Sequence, residues 1–121
     1  MISKTSHFYA VRRIEDENEL QKHLVDTKGM LLVNFWAEWS IQCHNMSYVM
    51  RDISPLLHDK DAIVYIDWLR HKGWAKNLGV FGVPTLIIHF AGQETARFSG
   101  TVSEATLLRQ INIIERQVSE P

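Results

Sequence analysis

The sequence predicts an α/β fold: a mixed β-sheet flanked by helices on both faces, in one domain over residues 1–121 with its core at about 7–117. Three observations carry that prediction. The run "MLLVNFWA" (30–37) is almost continuously apolar, as expected of a strand buried on both faces. The elements read in the order βαβαβαββα, which implies a mixed sheet covered on both sides. The segment 103–117 closes the chain as an amphipathic helix.

Taken in order, "HFYAVRRI" (7–14) mixes aromatic and β-branched residues and predicts a first strand. Acids crowd the start of "EDENELQKHLVDTKG" (15–29), where they suit the positive end of a helix, and Gly29 is expected to mark its exit. After the strand 30–37, interrupted only by Asn34, Ser40 is expected to cap a second helix. Cys43, Met46, Met50, Ile53 and Leu57 form its apolar stripe, and Pro55 bends or interrupts it late in its course. "AIVYIDW" (62–68) predicts a strand, followed by a short polar helix or loop to Gly79. "TLIIHF" (85–90) and "ETARFSG" (94–100) predict two strands joined by a turn at Ala91-Gly92. Ser103 caps the last helix, and residues 118–121 are expected to form a loose tail.

A chain of 121 residues is long enough for one core and too short for two. Hydrophobic content of 45% and charged content of 22% argue against disorder. Thirteen basic and fourteen acidic residues give a net charge of -1, so no strong field points to nucleic acid or an anionic membrane. Charges interrupt residues 1–19 before any apolar stretch of signal-peptide length, and no later run reaches membrane-spanning length. A cytoplasmic protein is expected. One cysteine excludes an internal disulfide. The six histidines show no zinc spacing with it, so neither metal nor cofactor is expected.

The stretches "LLVNFWAEWSIQC" and "GVPT", with Gly92 and Gly100, resemble the thioredoxin family from about residue 7 to residue 115. "QCHNMSYVM" is further similar to the thioredoxin-like domain of multidomain monothiol glutaredoxins, although no glutaredoxin domain or CGFS motif follows. The resemblance implies a thioredoxin fold and a thiol–disulfide site, and the departures from it define the question. Ser40 stands where the family carries its nucleophilic cysteine, Cys43 matches the resolving cysteine, and Asn34 matches a buried aspartate that moves its proton. Ile41 and Gln42 replace the usual Gly-Pro pair, and Tyr48 occupies the usual place of the helix proline.

A serine hydroxyl cannot replace a thiolate in attack on sulfur, so Ser40 reads as a helix cap. A Ser40–His44 hydrolytic pair is conceivable at one helical turn but lacks a third member. Cys43 supports two readings. A helix N-terminus favours a reactive thiolate, whereas the stripe it shares with Met46 and Met50 points it into the core. With the nucleophile and the buried acid both missing, a natural loss of dithiol activity explains the pattern better than one engineered substitution.

The resemblance also implies a cis Val83–Pro84 bond beside the helix start, with Val83 presenting its backbone to an extended peptide. Trp39, Ile41 and Phe81 are placed to surround that turn with apolar surface. The expected binding surface is therefore Trp39, Ser40, Ile41, Gln42, Phe81, Gly82, Val83 and Pro84, and the expected partner is a protein or extended peptide. The alternative is a monothiol oxidoreductase that uses Cys43 with an external thiol such as glutathione. Trp36 is expected to pack in the core beneath the site, while Trp68 and Trp74 stay open between packing and contact. The oligomeric state stays open as well.

Overall fold

The computed structural model describes residues 12–119, so the part of the first predicted strand at 7–11 lies outside the described residues. Strands β1 (Arg12–Ile14), β2 (Met30–Trp36), β3 (Ala62–Asp67), β4 (Thr85–Phe90) and β5 (Gln93–Ser99) form one sheet in the order β1-β3-β2-β4-β5. β3 runs parallel to β1 and β2, and β4 runs antiparallel to β2 and β5, so the sheet is mixed. Helices α1 (Glu17–Asp26), α2 (Ile41–Ile53), α3 (Lys72–Asn77) and α4 (Glu104–Ser119) cover its two faces. This is the thioredoxin fold.

The layering follows from strand alternation. Met30 and Leu32 of β2 point to one face, where they meet Met46, Met50 and Ile53 of α2 and Leu107, Ile111 and Ile114 of α4. Leu31, Val33 and Phe35 point to the other, where Leu20 of α1 and Ala75 of α3 close the second core. Burial of each large aliphatic side chain stabilises the fold by roughly 1.5–3 kcal/mol. Trp68 and Trp74, left open by the sequence, pack against this second core.

Local chemistry sets the helix ends. Asp16 caps α1 by accepting the Glu19 N–H at 2.9 Å, and the Glu19 carboxylate accepts the Glu15 N–H at 2.9 Å. Ser103 caps α4 in the same way through the Thr106 N–H at 3.1 Å. α2 stops at Ile53 and gives way to a 3-10 turn at Ser54–Leu56 that contains Pro55. Positive φ at Ala91 (53°) and Gly92 (79°) makes the tight turn between β4 and β5.

Three expectations are corrected. Gly29 does not end α1, whose C-cap is Thr27. Gly29 instead lies against Asp61 and the Lys60 backbone, which a Cβ at this position would strike. The last helix runs to Ser119 rather than stopping at 117, and the remaining positions of the expected tail, 120–121, lie outside the described residues. Trp36 is half-buried at the C-terminal end of the central strand β2 and is not part of either core. No helix among the described residues is long and apolar enough to cross a membrane.

Candidate functional site

The end of β2 and the start of α2 meet the start of β4, because Phe35 pairs with Thr85 across the antiparallel ladder. That register brings the two segments singled out by the sequence, 37–43 and 81–84, to one end of the sheet. A third segment joins them: the Gly100 N–H donates to the Pro84 carbonyl at 2.8 Å, and the Thr101 hydroxyl lies 3.5 Å from the Gln42 carbonyl. Gly100 reaches that position with φ of 92°, a conformation that costs glycine little. Gly100 carried a signal in the sequence. Thr101 carried none, since its contact is 59 residues distant.

Ser40 is the N-cap of α2. Its Oγ accepts the Cys43 N–H at 3.1 Å, its own N–H donates to the Ala37 carbonyl at 3.2 Å, and only 6% of its surface is exposed. His44 turns away, its Nε2 lying 2.7 Å from the Glu38 carbonyl, so the conceivable Ser40–His44 pair does not form. Cys43 is 1% exposed, and its Sγ accepts the Ala37 N–H at 3.4 Å. It sits on the core side of α2 with Met46 and Met50, as the stripe predicted.

Asn34 is fully buried on the α2 face of β2 and lies opposite Tyr65 of β3. Burial pushes the Tyr65 phenol above its ordinary pKa, and the Asn34 amide exerts a smaller opposite pull. Neither polar atom of Asn34 makes a hydrogen bond of regular geometry, so the contact with Tyr65 is a weak one.

Around this buried centre, large apolar side chains lie open to solvent: Trp39 at 64%, Ile41 at 77% and Phe81 at 73% exposure. The Val83–Pro84 bond is cis, and Pro84 is buried. The Thr85 hydroxyl donates to the Gly82 carbonyl at 2.8 Å and holds the turn from below. Among the described residues the N–H and C=O of Val83 have no hydrogen-bond partner, whereas Pro84 is satisfied by Gly100. A cavity of about 280 Å3 runs alongside, lined by residues that include Phe81, Val83, Pro84 and Ser99.

The chemistry open to this arrangement is narrow. One cysteine cannot complete a dithiol–disulfide cycle, and a mixed disulfide at Cys43 would need an outside thiol for release. Among the described residues no group of three or more His, Cys, Asp or Glu is placed to hold a metal ion.

Such a sheet, with a helix starting directly after its central strand and a proline turn beside it, defines a thioredoxin-like protein. A sequence model described as Thioredoxin matches residues 11–113, and the chain belongs to the thioredoxin family. It is similar to Thioredoxin Y1, chloroplastic, of Arabidopsis thaliana, with 28% identity over 104 residues, covering 83% of this chain and 60% of that one. It is 32% identical over 81 residues to Thioredoxin Y, chloroplastic, of Oryza sativa subsp. japonica, covering 67% of this chain and 48% of that one. The chain thus spans less than two thirds of the length of both these relatives. Among solved structures, the N21Q mutant thioredoxin from Halobacterium salinarum NRC-1 superposes with a TM-score of 0.76 at 25% identity, covering 84% of this chain and 87% of that one.

Proposed function

We propose that this protein binds an extended peptide segment of a partner protein across Trp39, Ser40, Ile41, Gln42 and Phe81–Pro84, without dithiol–disulfide reductase activity. Its role on this reading is that of an adaptor or scaffold. The observation that carries the reading is Val83, whose backbone N–H and C=O have no hydrogen-bond partner among the described residues and lie in a segment that also exposes Phe81. Unpaired backbone groups favour a partner strand, and the apolar side chains beside them give that strand area to bury. Ser40 is taken as the lost nucleophile position and Asn34 as the lost acid position. Both are buried and confined to packing or capping.

The competing reading, a monothiol oxidoreductase acting through Cys43 and glutathione, is disfavoured by burial. A disulfide sulfur must approach the attacking sulfur directly, and Cys43 is 1% exposed behind the Ala37–Ser40 turn.

The test is selection of a random peptide phage library on the whole chain, followed by measurement of the enriched synthetic peptides. Trp39→Ser and Phe81→Ser are expected to weaken those peptides at least tenfold with little change in thermal unfolding, since aromatic anchors dominate such interfaces. Failure to enrich any peptide, or peptides that bind both variants as they bind the wild type, would overturn the reading.

A further inference from the structure

Helix α2 carries two stripes, and only one of them is covered within the chain. Cys43, Met46, Met50 and Ile53 are buried on its sheet side. On the other side Ile41, His44, Asn45, Tyr48, Arg51 and Asp52 are all exposed, at helical spacings of three and four. Tyr48, at the centre of this outer stripe, is 58% exposed, and Leu56 in the 3-10 turn beyond α2 is 57% exposed. With Ile41, a large apolar side chain therefore stands open at the start, the middle and the end of the face. The centre is already ordered. The Arg51 guanidinium lies 5.0 Å from the Tyr48 ring centroid, and its Nη2 is 3.4 Å from Asp52 Oδ1. Side chains held in this way lose less freedom on association.

The outer stripe is complementary to itself. When a second α2 runs antiparallel to the first about a two-fold axis at Tyr48, residues equally far from Tyr48 on either side stand opposite each other. Tyr48 then meets Tyr48, His44 meets Asp52, Asn45 meets Arg51, and Ile41 meets Pro55 beside Leu56. Imidazole faces carboxylate, and amide oxygen faces guanidinium. The His44 Nε2 lies 2.7 Å from the Glu38 carbonyl, which leaves Nδ1–H of the protonated ring to donate across the axis. Asp52 Oδ2 has no partner among the described residues. A parallel pair would instead oppose Arg51 with Arg51 and Asp52 with Asp52, and like charges in contact are costly.

We propose that the outer face of α2 is a self-association surface, and that it fits a second copy of this chain docked antiparallel about Tyr48. α2 has 13 residues and is about 20 Å long. The contact is therefore small for a specific interface, and the dimer is weak and reversible. Neither Cys43 nor the Val83 turn takes part, and Ile41 alone is shared with the peptide surface. The proposal stands independently of the peptide-binding reading.

Sedimentation equilibrium of the whole chain, from low micromolar to millimolar concentration, tests it. The average mass should rise reversibly from monomer towards dimer. Tyr48→Arg places two like charges at the axis and should raise the dissociation constant at least about tenfold. Asp52→Arg should weaken the dimer by setting a cation against His44. Adding His44→Glu to that variant should restore it, because carboxylate and guanidinium again face each other. An acid near the start of α2 and a base near its end both suit the helix dipole, so these variants should fold, as circular dichroism will report. A chain that stays monomeric at millimolar concentration would overturn the proposal and leave the face to a different protein. So would a Tyr48→Arg variant that associates like the wild type, or a double variant as weak as Asp52→Arg alone.

Discussion

Ser40 occupies its position as an acceptor: its Oγ takes the Cys43 N–H at 3.1 Å and so satisfies one of the open donors at the start of α2. Replacement by alanine removes that acceptor. Ser40→Ala is expected to lower stability by about 1 kcal/mol, seen as a lower urea midpoint with an unchanged slope. The capping role was legible in the sequence, because serine before an apolar helical stripe has one good local use. Trp36 was not legible in the same way. Its aromatic character suggested core, but whether α2 reaches over the β1 edge depends on packing that no local pattern records.

His89 supplies the pH dependence at this scale. Burial holds its pKa below the ordinary value near 6.5, with Arg97 adding slightly to that effect and Glu94 and the Leu31 backbone opposing it. The unfolded chain therefore binds a proton before the folded one does as pH falls. Stability is complete above about 6.5 and declines as pH drops from there through the folded pKa. In His89→Gln this decline should shrink, as measured by thermal unfolding between pH 7 and pH 5.

Among the elements, the junction of β2 and β3 depends on one carboxylate. Asp61, almost fully buried, accepts the Met30 N–H at 2.8 Å and the His58 N–H at 2.9 Å, tying the start of β2 to the turn before β3. Asp61→Ala should cost about 1–3 kcal/mol by leaving a buried N–H unpaired, and amide exchange at Met30 should accelerate. Gly29 belongs to the same junction. The sequence offered a plausible local role for it as a helix exit, and the real constraint is a neighbour beyond residue 58 that only tertiary structure supplies. Strand β2 was legible for the opposite reason: a run buried on both faces must be apolar throughout, and the sequence says so directly. Arg97 shows a further long-range tie, donating to Glu94 and to the Leu78 and Gly79 carbonyls at 3.0 Å, which anchors β5 to the end of α3.

For the whole molecule, two cores on the faces of a five-stranded sheet place the β2–α2 junction, the Val83–Pro84 turn and the 99–101 segment at one end. The fold was legible because element order and apolar periodicity are properties of the chain itself. The state of the site was legible only in part. Residue identities told which thiol is missing, but the depth of Cys43 and the exposure of Trp39, Ile41 and Phe81 follow from how α2 seats on the sheet.

The central claim is that this thioredoxin-family protein binds through its surface and does not use its single thiol. Native-state labelling of Cys43 with a thiol reagent, compared with labelling in denaturant, tests it most directly. A side chain exposed only by unfolding should react at least about a thousandfold more slowly in the folded protein, given ordinary domain stability. A native rate within about tenfold of the denatured rate would contradict the account and return Cys43 to the role of a working monothiol.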